Sequence, residues 1–219
     1  MSPIKILLVE DQLFFVELLE KTFQADPEFE LLGSTADGET AVELARKTSP
    51  DVVIMDIELS GEMNGVEAGL KIKEHKSDTA IVLLSAHMER GYLTSLPLRH
   101  SSGWAYLLKQ TLPDVETLLR TIRQSVKGMV VLDPKLVQML APNPDSILSG
   151  LTNRQLQLLR LMAQGYDNPA IARELKLAQN TVETYINAIY QELGASREPG
   201  VHSRVSATLI YLRESNLLV

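Results

Sequence analysis

Five polar residues fall where short apolar runs stop, and their types suit phosphoryl chemistry. Glu10 and Asp11 follow the run at 4 to 9, Asp56 closes a run beginning at 51, Ser85 follows 79 to 84, and Lys109 follows 104 to 108. Three carboxylates crowded on one edge repel unless a cation or a proton compensates, and hard carboxylate oxygens suit Mg2+. A metal held there could bridge a carboxylate to an incoming phosphoryl group and neutralise charge as the group transfers. Ser85 offers a hydroxyl donor and Lys109 a point cation for phosphoryl oxygens. Taken singly, a strand-end Asp is more often a loop cap than a nucleophile, and a lone Lys is usually a solvated charge. Their joint appearance at strand ends is what points to a site.

Such a site needs strands that all end on one edge. Apolar, β-branched runs recur at 4 to 9, 29 to 34, 51 to 55, 79 to 84 and 104 to 108, the pattern of strands buried on both faces. Between them, apolar residues at helical spacing occupy 12 to 25, 38 to 48, 64 to 75 and 113 to 127. The alternation predicts a parallel sheet covered by helices. Right-handed crossovers then put every strand C-terminus on the same edge, with Asp56 beside Glu10 and Asp11.

Residues 128 to 150 include Gly128, Pro134, Pro142, Pro144, Asp145, Ser146, Ser149 and Gly150, a composition that breaks regular structure and reads as a linker with a short helix at 134 to 141. Beyond it the pattern is helical throughout. Thr152 to Gln155 fit a capping box for a helix whose apolar face holds Leu156, Leu159 and Met162 and which ends near Gly165. Asn168 and Pro169 read as a cap and first-turn proline for a helix to about Leu175. A third helix runs from about Gln179 to Leu193. A fourth, from about Ser203 to Ser215, has Val205, Leu209 and Leu212 on one side. The tight turn between the second and third has helix-turn-helix spacing.

Charge separates the two parts. Residues 1 to 124 carry 12 basic against 20 acidic residues, whereas residues 151 to 219 carry 7 against 6. Duplex DNA binders usually present a basic surface, so the second part is an atypical candidate. The absence of cysteine excludes disulfides and thiolate metal sites and fits a reducing compartment. The N-terminus lacks a basic stretch followed by a long apolar run, and no run approaches membrane-spanning length. A cytoplasmic protein with no membrane partner is expected.

The motifs LLVED (7 to 11), VVIMDIEL (52 to 59), VLLSA (82 to 86) and YLLKQ (106 to 110) resemble those of the receiver domain of two-component response regulators. The resemblance implies a flavodoxin-like α/β fold over residues 1 to 124, with a five-stranded parallel sheet of order 2-1-3-4-5. It implies Asp56 as the phosphoacceptor, attacking the phosphohistidine of a sensor histidine kinase. It implies Mg2+ held by Asp11, Asp56 and the backbone carbonyl of Glu58, with Glu10 acting through water, and Ser85 and Lys109 on the phosphoryl oxygens. Tyr106 falls at the aromatic switch position, which turns inward as Ser85 moves toward the phosphate; a plain core role is the alternative. Two departures stand out. The loop after Asp56, ELSGEMNGVEA, is a residue longer than usual with Ser60 in place of proline. The stretch from Ser85 to Lys109 is about two residues longer, and its fourth-helix region (89 to 103) holds Pro97 and the polar run Arg99 to Gly103.

Residues 151 to 194 resemble the LuxR-type helix-turn-helix of the NarL/FixJ class, within an output domain at 151 to 219 that follows a linker at 125 to 150. The skeleton Leu151, Thr152, Arg154, Leu159, Gly165, Asn168, Ile171, Ala172, Leu175, Leu177, Thr181, Val182, Ile189, Leu193 and Gly194 carries the match. It implies an all-α four-helix domain that binds DNA, with a homodimer in the active state and the final helix as a candidate dimer surface. Glu183, Tyr185, Gln191 and Glu192 replace residues that are commonly basic or His, Pro169 replaces a lysine, and Ala178 a serine cap. Asn180, Thr184 and Asn187 remain able to reach base edges. Arg173, Lys176, Arg154, Arg160, Arg197 and Arg204 could touch phosphates, or serve as ordinary surface polars.

The leading reading is a transcriptional regulator switched by phosphorylation of Asp56. The alternative is a phosphorylation-controlled regulator whose acidic third helix docks on a protein. A third, enzymatic reading makes Asp56 the nucleophile of a phosphatase with Glu58, two residues on, as its acid. The strand-end context matches receivers instead.

Overall fold

The computed structural model describes residues 2–86, 102–112, 114–195 and 202–217. Two compact units divide near Gly128. In the first, β1 (Ile4–Val9), β2 (Phe29–Thr35), β3 (Val52–Asp56), β4 (Ala80–Ser85) and β5 (Trp104–Leu108) alternate with α1 (Leu13–Gln24), α2 (Gly38–Thr48), α3 (Gly65–His75) and α4 (Val115–Val126). All pairings among these strands are parallel: β1 with β2 and β3, β3 with β4, and β4 with β5. Within this unit the strand order is β2-β1-β3-β4-β5, the predicted 2-1-3-4-5; a two-residue strand, β6 (Val131–Leu132), follows in the chain.

Local sequence explains the boundaries. Every residue of β3, β4 and β5 is buried, as their unbroken apolar runs require. Asp37 caps α2 by accepting from the Thr40 amide at 2.8 Å, and Asn64 with Glu67 forms a capping box on α3. The predicted helix at 113 to 127 starts two residues later, at Val115. Lys109–Thr111 forms a 3-10 turn, and Asp114 caps the helix that follows. Of the irregular stretch read at 89 to 103, residues 89 to 101 lie outside the described residues.

In the stretch read at 125 to 150 as a linker, the expected short helix at 134 to 141 is present and further structure follows it. Pro134, in a first helical turn where it sacrifices no hydrogen bond, and Asp133, which accepts from the Lys135 amide at 2.7 Å, open α5 (Pro134–Met139). Then come β7 (Leu140–Pro142) and a 3-10 turn at Ile147–Gly150. Leu136, Val137, Leu140 and Leu148 are buried. The chain's end returns as β8 (Ser215–Leu217), antiparallel to β7 with Leu140 opposite Leu217, an addition to the expected all-helical domain.

The four expected helices are α6 (Asn153–Ala163), α7 (Asn168–Leu175), α8 (Gln179–Glu192) and α9 (Ser203–Arg213). The Thr152/Gln155 capping box opens α6 as predicted. The cap of α7 is Asp167 rather than Asn168, its side chain accepting from the Ala170 amide at 2.9 Å, so the proline falls within the first turn. The turn into α8 passes through Lys176 in the left-handed conformation (φ 52°), and the Leu177 amide donates to the Ala172 carbonyl at 2.9 Å. Leu158, Leu159, Met162, Ile171, Val182, Ile186 and Ile189 form the core. Val205, Ala207, Leu209, Tyr211 and Leu212 of α9 are all buried, so these positions belong to the core of the unit.

Candidate functional site

The parallel register brings the predicted residues to one edge of the first unit's sheet. Asp56 ends β3 opposite Leu84, and Ser85 ends β4 opposite Leu108. Glu10 follows β1, its amide donating to the Thr35 carbonyl at 2.9 Å. Lys109 follows β5. Glu10, Asp56, Ser85 and Lys109 are all buried, while Asp11 and Glu58 are exposed.

Lys109 Nζ organises the centre, donating to Asp56 Oδ2 at 2.7 Å and to Glu10 Oε1 at 2.9 Å. Backbone amides add to this: Glu58 N donates to the other Asp56 oxygen, Oδ1, at 3.2 Å, and Gln12 N donates to the same Glu10 Oε1 at 3.1 Å. Burial raises the Glu10 carboxyl above the ordinary range, and the Asp56 charge adds to this, against the opposing pull of Lys109. Burial alone would lower Lys109; its hydrogen bonds to Asp56 and Glu10 outweigh that and hold the ammonium above its usual range.

Glu10, Asp11 and Asp56 each present a carboxylate oxygen within 4.8 Å of the others, a donor set that could hold a metal ion. Glu10 Oε2 is buried with no hydrogen-bond partner, an acceptor that a cation or its water would satisfy. Three carboxylates against one lysine leave net negative charge in a partly buried pocket, and hard oxygen donors match a hard divalent ion.

Two residues at this edge carry no signal in the sequence motifs. Gly65 opens α3, and a Cβ there would lie 2.0 Å from the Asp56 carbonyl oxygen, so the helix start sits on the strand end only because glycine has none. Phe15, in the first turn of α1, places its ring centroid 4.7 Å from Lys109 Nζ. Its spacing, four residues after Asp11 on the helix that starts at the site, is the one clue. Tyr106 is 1% exposed and lies opposite Leu83 within β5, so the side chain is inside the fold.

Residues 6–123 match the model of the response regulator receiver domain, and residues 149–210 that of the bacterial regulatory proteins of the luxR family. The chain is 30% identical over 216 residues to the transcriptional regulatory protein DegU of Brevibacillus brevis, covering 89% of each. It is also 30% identical over 221 residues to the transcriptional regulatory protein YdfI of Bacillus subtilis strain 168, covering 98% of each. The chain belongs to the LuxR-family response regulators. The crystal structure of a LuxR-family two-component response regulator from Aurantimonas sp. SI85-9A1 matches with 25% identity and a TM-score of 0.51, over 58% of this chain and 87% of that one.

In this response regulator, the third helix of the second unit presents Asn180, Thr184 and Asn187 on one exposed stripe at helical spacing, with Glu183 beside them. Thr184 Oγ1 donates to the Asn180 carbonyl at 2.8 Å, so that hydroxyl is engaged in its own helix. Arg173 and Lys176 are exposed next to the turn. Two of the cations read as candidate phosphate contacts are instead tied into the fold. Arg204 donates to the Tyr166 carbonyl and, at 3.1 Å, to Asn168 Oδ1, and burial lowers its pKa. Arg154 donates to the Leu175 carbonyl at 2.8 Å and to Gln157 at 3.0 Å. Arg197 lies outside the described residues. No helix among the described residues is long and apolar enough to cross a membrane.

Proposed function

We propose that Asp56 accepts a phosphoryl group from a sensor histidine kinase, and that this modification controls transcription through DNA binding by the second unit. The observation that carries the reading is the buried Asp56 carboxylate held by Lys109 beside Glu10 and Asp11. We assign residues 1–124 to the receiver, 125–150 to the connection and 151–219 to the output domain; the family matches at 6–123 and 149–210 support this division.

In the transfer, an Asp56 carboxylate oxygen attacks phosphorus. An O–P bond forms as the P–N bond to the donor histidine breaks, and the electron pair leaves with the imidazole nitrogen. Asp11, Asp56 and the Glu58 carbonyl, with Glu10 through water, would hold Mg2+, which neutralises phosphoryl charge when bound. Lys109, released from Asp56 Oδ2, takes up a phosphoryl oxygen, and the Ser85 hydroxyl donates to another. Tyr106 then fills space behind the displaced Ser85. Phosphorylation adds up to about two negative charges and a few charge-assisted hydrogen bonds. Moving a 1:99 equilibrium to 99:1 takes about 5.5 kcal/mol of preference for one state, so a partial shift is the expected response.

On this reading the receiver is a stoichiometric acceptor and not an enzyme with turnover. Asn180, Thr184 and Asn187 read bases, with Arg173 and Lys176 on phosphates. The active form is a homodimer in the cytoplasm, its interface away from the buried face of the last helix.

The test compares wild type with Asp56→Asn. Acetyl phosphate with Mg2+ should label wild type alone, and beryllofluoride with Mg2+ should strengthen salt-sensitive binding to genomic DNA fragments in wild type alone. Equal labelling of both proteins rejects the acceptor assignment. DNA binding absent in every state rejects the output assignment.

A further inference from the structure

We infer that Phe15 is a positioning residue for Lys109, holding its ammonium over the phosphoryl site by a cation–π contact; the inference rests on the reading of Asp56 as phosphoacceptor. Lys109 Nζ directs hydrogen bonds to Glu10 Oε1 and Asp56 Oδ2, and it also lies 4.7 Å from the Phe15 ring centroid. An ammonium at this distance from an aromatic face is attracted by the ring quadrupole, most strongly where water is excluded. Lys109 is 7% exposed, so water has little access to the ammonium, while the Phe15 ring is half-buried.

The ring is itself held in place. The Phe15 amide donates to the Gln12 carbonyl at 2.9 Å, which fixes the first turn of α1 directly after the acidic pair. The largely exposed Phe14 ring stands edge-on beside it, with centroids 5.7 Å apart and planes at 76°.

The arrangement matters because the lysine's partners change during transfer. Asp56 loses carboxylate charge as its oxygen becomes bonded to phosphorus, and the ammonium must pass to a phosphoryl oxygen. A hydrogen bond to a carboxylate is directional and breaks at that moment. Attraction to a ring face is broad and survives a shift of the ammonium. Phe15 thus supplies a favourable contact of Lys109 that does not depend on the Asp56 carboxylate and needs no change between the free and phosphorylated states. An aliphatic side chain of similar bulk would fill the space without attracting the cation.

The experiment follows phosphorylation of the full chain by acetyl phosphate with saturating Mg2+, in wild type, Phe15→Leu, Phe15→Met and Phe15→Tyr, with thermal unfolding of each. The aliphatic variants should lower the limiting rate about fivefold while the half-saturating acetyl phosphate concentration changes less than about twofold, because the ammonium acts on charge developing at phosphorus. Phe15→Tyr keeps the ring and should stay within about twofold of wild type. In a Lys109→Met background the Phe15→Leu effect should vanish. Wild-type rates in both aliphatic variants overturn the inference. So does a Phe15→Tyr variant as slow as Phe15→Leu, or an undiminished effect without Lys109, since either assigns the ring to packing alone. Should Phe15→Leu not fold, Phe15→Met and the Lys109→Met cycle built on it decide the matter. A wild-type chain that takes no label on Asp56 fails the underlying reading instead.

Discussion

Lys109 Nζ sits 2.7 Å from Asp56 Oδ2 and 2.9 Å from Glu10 Oε1, so one ammonium compensates two buried carboxylates. Replacing it with Met leaves both charges without their partner, and breaking a buried ion pair from one side costs about 3–5 kcal/mol. Urea unfolding at pH 7 should show Lys109→Met destabilised on that scale. Without Lys109 nothing opposes the burial and the Asp56 charge that already hold the Glu10 carboxyl above its unfolded value, so the folded state binds more protons at Glu10 and the deficit should shrink as pH falls toward 5. Millimolar Mg2+ should recover part of the loss at pH 7. A deficit independent of both pH and Mg2+ would contradict the account.

Gly65→Ala tests how closely α3 must approach the acceptor. The added Cβ would lie 2.0 Å from the Asp56 carbonyl oxygen and 3.0 Å from Met55 Cγ, so either the helix start or the strand end moves. Overpacking of this kind costs about 1–3 kcal/mol. Acetyl-phosphate labelling of Asp56 should slow more than the stability loss alone explains, because the displaced backbone belongs to the acceptor. Labelling at the wild-type rate in a destabilised variant would show that the strand end does not move.

Most of the fold and the site's residue types were legible in the sequence, for physical reasons that differ by region. Strands buried on both faces write unbroken apolar runs, so β1, β3, β4 and β5 were found within a residue or two. Their common edge then placed Glu10, Asp56, Ser85 and Lys109 together. Contacts made by absence or by direction were not legible. The missing Cβ of Gly65 and the ring face of Phe15 beneath an ammonium both depend on how α3 and α1 are docked. The stretch from 129 to 150 misled for another reason. Its prolines and glycines signal breaks and let the helix at Pro134 be read, but nothing local signals β7, whose partner lies more than seventy residues away in β8.

Lys73 gives a stability prediction with a defined pH window. It is 3% exposed at the end of α3, and its ammonium donates to the Ser77 carbonyl at 2.8 Å and the Thr79 carbonyl at 2.9 Å. Burial lowers its pKa to about 8, the Asp78 charge opposing. The unfolded chain therefore binds more protons than the folded one between pH 8 and the ordinary lysine value of 10.5, and stability contributed at this site rises with pH across that interval. Relative to Lys73→Met, wild type should gain at most about 3 kcal/mol from pH 8 to 10.5 and show no differential change from pH 6 to 7. Parallel stability curves for the two proteins over the alkaline interval would refute the assignment.

The output helix sets the last prediction, because its charge and its polar stripe act on different parts of DNA affinity. Asn180, Thr184 and Asn187 share the exposed side of α8 with Glu183, an acid facing where a phosphate-rich duplex would dock. Phosphate contacts supply affinity without sequence preference, whereas side chains on base edges supply discrimination. Glu183→Lys should therefore tighten binding to all fragments alike and steepen the slope of log affinity against log salt by about 1. Asn187→Ala should instead cost about 1–3 kcal/mol on the preferred site and little on random DNA. Arg204, held by Tyr166 and Asn168, belongs to neither class; Arg204→Met should lower the melting temperature of the output domain and leave the salt slope of the remaining folded protein unchanged. Anisotropy titrations at several salt concentrations read all three variants. If Glu183→Lys changes affinity on one fragment only, or if Asn187→Ala weakens every fragment equally, this face of the helix does not meet DNA in the proposed way.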